Sequence, residues 1–553
     1  MSSPTVARTS NAALGRRWFI TAMSIGALLF TACSTSDTGE SASEGKASSE
    51  QAGQTSGEDR LVPPGDPAQT VSRSDVDAAL EKVPTEAEAL LEQSGLPAMA
   101  VTVVFEDEVV LAEGFGVKEA GGDDPVDANT VFQIASLSKP LGATVVAGLV
   151  GDGQVAWDDE VIEHLPDFEL SDPAVTDMVT IGDFYSHRSG LPDHAGDLLE
   201  DLGFDRGYII DRLRLEPLDP FRNNYAYTNF GLTTGAVAAA AAAGTTWEEA
   251  TESVLFGPAG MEDSSATLAD FLAASNRAIP HERDPEGNYV ALEQRDPDPQ
   301  SPAGGMSSTA ADMGTWMRIQ LNEGMLGEEQ IVDSDALLAM QTPQNLSGPP
   351  RSPSAHSSFY GYGLGIGYRD DGFTSWSHSG AFLLGTSTNV VMIPGQQLGV
   401  AVTTNGQPAG VPEAMAASVI DLITTGETTK DWLELFGQQF AGFYEPTTPT
   451  DWSQPVGDPR PAAEPETYVG TYASDYYGPL EVMNTGDGLV MTLGPQAMEF
   501  ALEPYDGDTF LFTPPGENSL GPTGIEFEVV DGTAVSVRSE FYDETGLGTW
   551  TRV

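Results

Sequence analysis

The chain is 553 residues long, with 83 acidic against 24 basic side chains and a formal net charge of −59. That length exceeds what one hydrophobic core supports and 40% hydrophobic residues suffice to bury a core, so two domains with appended segments are expected. A surface this acidic repels phosphate backbones and excludes a polynucleotide partner; with acids spread throughout and only five lysines, it fits a protein kept hydrated in concentrated salt.

In chain order, Arg16 and Arg17 precede an apolar run from Trp18 to Phe30, small residues and Cys33. Basic, apolar and small stretches in that order make residues 1–32 a secretory signal, the run being too short and too early for an ordinary spanning helix. The arginine pair followed by Trp18, Phe19 and Ile20 resembles a twin-arginine export signal, and Phe30, Thr31 and Ala32 before Cys33 resemble a lipobox. Cys33, the only cysteine, is therefore expected to carry a lipid at the outer face of the cytoplasmic membrane, leaving no disulfide to the exported domain. Residues 33–70 read as a Ser- and Gly-rich acidic tether, too poor in large apolar groups to order itself.

From residue 71, Ser72 or Ser74 is placed to cap a helix through "DVDAALEKVPTEAEALLEQ", and "AMAVTVVFEDEVVLAEGFGV" predicts a hairpin turning at Glu106-Asp107-Glu108. In "SLSKPLGATVVAGLVGDG" the residues Leu137, Leu141, Val145 and Leu149 have helical spacing and predict an amphipathic helix. Pro140 is tolerable only in its first turn, which puts Ser136 at the amino-terminal end and Lys139 one turn on, facing the same way. A serine hydroxyl needs a base to become a nucleophile, and a lysine can serve where its neutral form is favoured. Alone, the pair reads as a helix cap beside a solvated lysine, and only further motifs change that reading.

Further on, His187 and His194 flank a Gly190-Leu191-Pro192 turn; without further spaced ligands they read as hydrogen-bonded structural residues, not metal ligands. "FRNNYAYTNFGLTTGAVA" sets Tyr227 and Asn229 two apart before an alanine-rich helix, so that both project from one side of a short extended turn. A phenol near a lysine can share its proton, and an amide can hold substrate and lysine in register. "DMGTWMRIQL" is core packing. "SWSHSGAFLLGTSTNVVMIPGQQLGVAVTTN" predicts strands running from edge to centre, joined at Pro394-Gly395, with His378, Ser379 and Gly380 on the first. Gly380 admits a ligand close to the backbone, and the N–H groups of Ser136 and Ala381 could form an oxyanion hole.

Together, Ser136-x-x-Lys139, Tyr227-x-Asn229 and His378-x-Gly380 resemble the three motifs of the serine β-lactamase and penicillin-binding protein superfamily, in its class C-like branch. "SHRSGLP", "PAGGMSSTAADMGTWM" and "YGYGLGIGY" are similar to further stretches of that branch. The resemblance implies an α/β (α+β) sandwich over residues 71–443, an antiparallel sheet flanked by helices, with the site where the Ser136 helix meets an edge strand. It implies a serine hydrolase: Ser136 attacks an acyl carbonyl, Lys139 and Tyr227 share general-base and general-acid work in an undecided order, Asn229 orients, and His378 assists binding or protonates the leaving group. No metal or organic cofactor is implied. Where the branch's β-lactamases begin the third motif with lysine, this chain has His378, a weaker and pH-dependent cation, which favours ester or small amide substrates without a carboxylate. The expected partner is thus a small-molecule or short-peptide acyl substrate, with membrane contact only through the lipid anchor. The alternative is a surface binding protein or acylation sensor that uses the same serine once without turnover.

Residues 444–465 are a Pro-rich linker, and 466–553 show short alternating strands broken by Gly-Asp and Pro-Gly turns. They predict a small antiparallel β-barrel resembling the lipocalin-like barrels appended to hydrolases of this superfamily. Its bland role is packing against the first domain; the sharper expectation is that a loop near Tyr476 and Tyr477 narrows the cleft.

Overall fold

The structure, a computed structural model, describes residues 69–292, 295–445 and 448–553. The export signal, Cys33 and all but the end of the tether lie outside the described residues. Ser72 caps α1 (Arg73–Leu80) in a reciprocal box, its side chain accepting the Asp75 N–H while the Asp75 carboxylate accepts its own. The single predicted helix breaks there and resumes as α2 (Val83–Ser94), because Pro84 fits only a first turn.

The hairpin forms as predicted from β1 (Ala98–Phe105) and β2 (Glu108–Gly116). Glu106 and Asp107 take φ of 50° and 61°, the left-handed pair whose twist matches that of the strands. Six further strands complete the sheet: β3 (Asn345–Gly348), β4 (Ser358–Tyr360), β5 (Gly365–Tyr368), β6 (Thr374–Phe382), β7 (Thr386–Ile393) and β8 (Leu398–Thr404), in the antiparallel order β2-β1-β8-β7-β6-β5-β4-β3. The helices that build the layers and the site are α3 (Ser138–Gly151), α4 (Asn229–Ala242), α5 (Ala310–Leu321) and α6 (Val411–Thr425). With α1, α2 and α6 on one face and α5 on the other, β1, β7 and β8 are buried along their whole length.

Two expectations need correction. α3 is not amphipathic: every residue from Ser138 to Leu149 is buried, so it is a central helix, and Ser136 sits in the 3₁₀ turn Ala135–Leu137 that leads into it. β6 is not an edge strand, since it lies between β5 and β7. However, β5 pairs only with residues 374–377, so among the described residues no strand covers the other side of 378–382. The sheet is stepped there, and the step faces the site.

The C-terminal unit is a closed antiparallel barrel of eight strands between Gly470 and Arg552, with Tyr472, Leu480, Met491, Phe510, Phe527 and Trp550 among its buried residues. It docks through Tyr476, whose hydroxyl donates to Glu216 and whose carbonyl accepts the Tyr208 hydroxyl at 3.1 Å. The Tyr477 hydroxyl donates to Tyr542 O at 2.9 Å, and both tyrosines are 3% exposed. Both side chains are turned into the protein, Tyr476 binding the barrel to its neighbour and Tyr477 filling the barrel.

Candidate active site

The chain approaches Ser136 through Ala135, whose φ of 46° costs an L-residue about 1–2 kcal/mol. Neighbours hold the turn: the Ser138 hydroxyl donates to Ala135 O at 2.7 Å and accepts the Met306 N–H at 2.9 Å, and Thr388 Oγ1 on β7 donates to Ile134 O at 2.9 Å. Ser136 thus faces the step in the sheet from a fixed backbone.

Two of the predicted residues, Lys139 and Tyr227, converge on its oxygen, and a third, Asn229, holds the lysine. Lys139 Nζ donates to Ser136 Oγ at 3.1 Å, to Asn229 Oδ1 at 2.7 Å and to Ala303 O at 2.9 Å; the Tyr227 hydroxyl donates to the same Ser136 oxygen at 2.9 Å. Asn229 is the first residue of α4, and its Nδ2 donates to Asp197 at 2.8 Å. Lys139 is fully buried. Burial brings its ammonium down to about 7, helped by the Arg295 charge and opposed by Asp197 and Glu200. Burial pushes the Tyr227 phenol well above its ordinary range, with the Ser136 hydrogen bond opposing. At neutral pH the site therefore holds a phenol that keeps its proton beside an amine that readily loses its own.

On β6, a Cβ added to Gly380 would lie 2.4 Å from Ile134 O and 2.9 Å from Ser136 N, so only glycine lets the strand come this close to the Ser136 turn. Ala381, opposite Ser387 on β7, continues that stretch. His378 is placed otherwise than expected. Its Nδ1 lies 2.7 Å from Ser379 O, which can only accept, so Nδ1 carries the proton and Nε2 accepts the Tyr360 hydroxyl at 2.8 Å. Burial, with the Lys139 charge, lowers the imidazole to about 3. It is neutral and hydrogen-bonded at both nitrogens, which corrects its expected role as a cation or proton donor.

Sequence reasoning missed the groups behind Asn229 and Lys139. His194 Nδ1 pairs with Asp197 Oδ2 at 2.8 Å; burial works against the imidazolium, but Asp197 raises it above its ordinary value. His187 accepts the Thr228 N–H at 3.2 Å, the hydrogen-bonded role expected of it. Arg295 pairs with Glu200 at 2.6 Å and lies 4.2 Å over the Phe382 ring. Ala303 falls in the "PAGGMSS" stretch, the one signal that could have found it; Asp197 and Arg295 carry none. Elsewhere Asp159, Glu163 and His164 bring ligand atoms within 4.8 Å of one another, with His164 and Asp159 paired at 3.2 Å.

Residues 83–425 match the family model described as Beta-lactamase, and residues 454–547 match the Domain of unknown function (DUF3471). The chain is 25% identical over 509 residues to the Unguisins hydrolase ungD of Aspergillus violaceofuscus (strain CBS 115571), covering 83% of this chain and 87% of that one. It is 29% identical over 327 residues to Penicillin-binding protein 4 of Amycolatopsis lactamdurans, covering 58% and 83%. Among solved structures, the octameric penicillin-binding protein homologue from Pyrococcus abyssi shares the fold, with a TM-score of 0.55 at 19% identity over 84% of this chain and 98% of that one.

Proposed function

The chain belongs to the Beta-lactamase family, whose members are serine hydrolases, and on that premise we propose that it is an exported, lipid-anchored hydrolase that opens an ester or amide through an acyl-enzyme on Ser136. The observation that carries this is the convergence of Lys139 Nζ and the Tyr227 hydroxyl on one serine oxygen.

Neutral Lys139 takes the Ser136 proton as Oγ bonds to the acyl carbon, and the oxyanion collects between the N–H groups of Ser136 and Ala381. Collapse breaks the bond to the leaving group, which receives its proton from Tyr227; the lysine ammonium then returns a proton to the phenolate. In the second half Lys139 takes a proton from water as its oxygen bonds to the acyl carbon, and the intermediate then breaks its bond to Ser136 Oγ, which receives that proton from the lysine ammonium as the acid leaves. Asn229 keeps the lysine in register through the reaction. With His378 neutral, the third motif offers no cation to a substrate carboxylate, which favours uncharged esters and amides over true β-lactams.

A fluorophosphonate label should map to Ser136, and Ser136→Ala should lose both label and turnover while keeping its fold. Labelling elsewhere, or hydrolysis retained, refutes the assignment. Steady product release from p-nitrophenyl esters, D-amino acid amides or a chromogenic β-lactam in high salt is expected; a single stoichiometric burst would instead favour an acylation sensor. A diacylglyceryl mass on Cys33 of the mature protein tests the anchor.

A further inference from the structure

The barrel reaches the catalytic domain at a second place besides Tyr476. In the loop between its strands Thr509–Phe512 and Thr523–Val530, the two carboxylate oxygens of Glu517 accept the N–H groups of Leu383 and Leu384, the latter at 3.1 Å. Those two amides begin the turn from β6 to β7, immediately after Gly380, Ala381 and Phe382. The loop is itself secured by Asp201, which accepts the N–H groups of Glu517 at 2.9 Å and Asn518 at 3.1 Å and the Asn518 side chain at 2.8 Å. Gly516, at φ 86°, lies against that carboxylate; a Cβ there would be 2.3 Å from Asp201 Oδ1, so the close approach requires glycine.

Glu517 touches the opposite wall of the site as well. Its carboxylate lies 3.8 Å from Arg295, whose guanidinium pairs with Glu200 and stacks on Phe382. Glu200 accepts the Gln300 amide, and Gln300 begins the segment whose Ala303 carbonyl receives Lys139 Nζ. One barrel carboxylate thereby joins the strand end beside the Ser136 amide to the chain that holds the lysine. A cavity of about 610 Å³ borders Glu200, Arg295, Leu384 and Glu517, so these hydrogen bonds, not close packing alone, hold the loop to the turn.

We propose that Glu517 is a positioning residue for the reaction at Ser136, supplied by the C-terminal barrel: it fixes the end of β6 that carries Gly380 and Ala381. The inference rests on the hydrolase reading above. Displacing that strand end by a fraction of an ångström removes an oxyanion donor from its place, which affects the transition state more than the ground state.

The test uses the full chain with Glu517→Ala, Glu517→Gln and, as a control that loosens docking elsewhere, Tyr476→Phe. Rates on p-nitrophenyl acetate are taken per Ser136 site titrated with fluorophosphonate, and hydrogen exchange is followed in peptides covering 380–388. Glu517→Ala should lower kcat per site roughly tenfold to a hundredfold with KM within about twofold, and should speed exchange at 380–388. Glu517→Gln, which keeps one acceptor oxygen, should recover part of both, and Tyr476→Phe should leave both unchanged. Unchanged exchange in Glu517→Ala overturns the contact's role even if Ser136 turns over ester, as does an equal loss of kcat in Tyr476→Phe. Failure of the wild-type chain to take label at Ser136 overturns the hydrolase reading, and the positioning role with it, while the exchange result stands.

Discussion

Lys139 Nζ stands 4.5 Å from the centre of the Tyr227 ring. The ring face favours the ammonium, whereas burial brings it down to about 7. With the neutral amine as the proposed base, protonation at low pH disables it, and kcat/KM on an ester should rise with pH through an apparent pKa near 7. That value belongs to the coupled cluster. Lys139→Arg, a cation at every accessible pH, should fall to background throughout. A flat profile between pH 5 and 9 would remove the lysine as base.

Tyr227→Phe keeps the ring but deletes the proton donor. Turnover of an alkyl ester or amide should drop on the order of 10²–10⁴-fold. The p-nitrophenyl ester should lose much less, because p-nitrophenolate departs without a proton. Equal losses on both substrates would contradict the leaving-group role.

Asp197 and Arg295 bias Lys139 in opposite senses, the carboxylate favouring the ammonium and the guanidinium opposing it. Asp197→Asn should therefore move the acid limb of the pH–rate profile downward, and Arg295→Met should move it upward. Two shifts of the same sign would mean the limb belongs to another group.

Gly380→Ala places a methyl group 2.3 Å from Thr388 Oγ1, 2.4 Å from Ile134 O and 2.9 Å from Ser136 N. β6 must retreat from the turn, and turnover should fall by about 10²-fold or more while far-UV circular dichroism is retained. Wild-type kinetics in this variant would mean that the strand does not contribute to the oxyanion site.

With a net charge of −59, the folded chain concentrates carboxylate repulsion that counter-ions screen. The melting temperature should rise steadily from dilute buffer to molar potassium chloride. Indifference to salt would count against an adaptation to brine.

What could be read from the residues alone was local. The hairpin was legible because Glu106 and Asp107 interrupt a two-residue alternation, and the three motifs that meet around Ser136 because each spans at most four positions. α3 was misread because Leu137, Leu141, Val145 and Leu149 mark one stripe, while the Ala, Gly and Thr residues between them pack equally well on the other faces. The neutral state of His378 depends on burial that only the assembled sheet provides and on the Lys139 charge, and the Tyr360 hydroxyl that occupies its Nε2 comes from 18 positions away. Asp201 and Glu517 meet across 316 positions, a distance over which no spacing rule operates.

β5 has four residues where β6 has nine. Unpaired strand edges ordinarily invite other chains to add to them, and proteins blunt them to stay apart. Here the stretch of β6 left bare by β5 lies against the Ser136 turn, so close that a Cβ on Gly380 would stand 2.9 Å from Ser136 N. The shortness of β5 therefore leaves backbone groups beside Ser136 without a strand partner among the described residues.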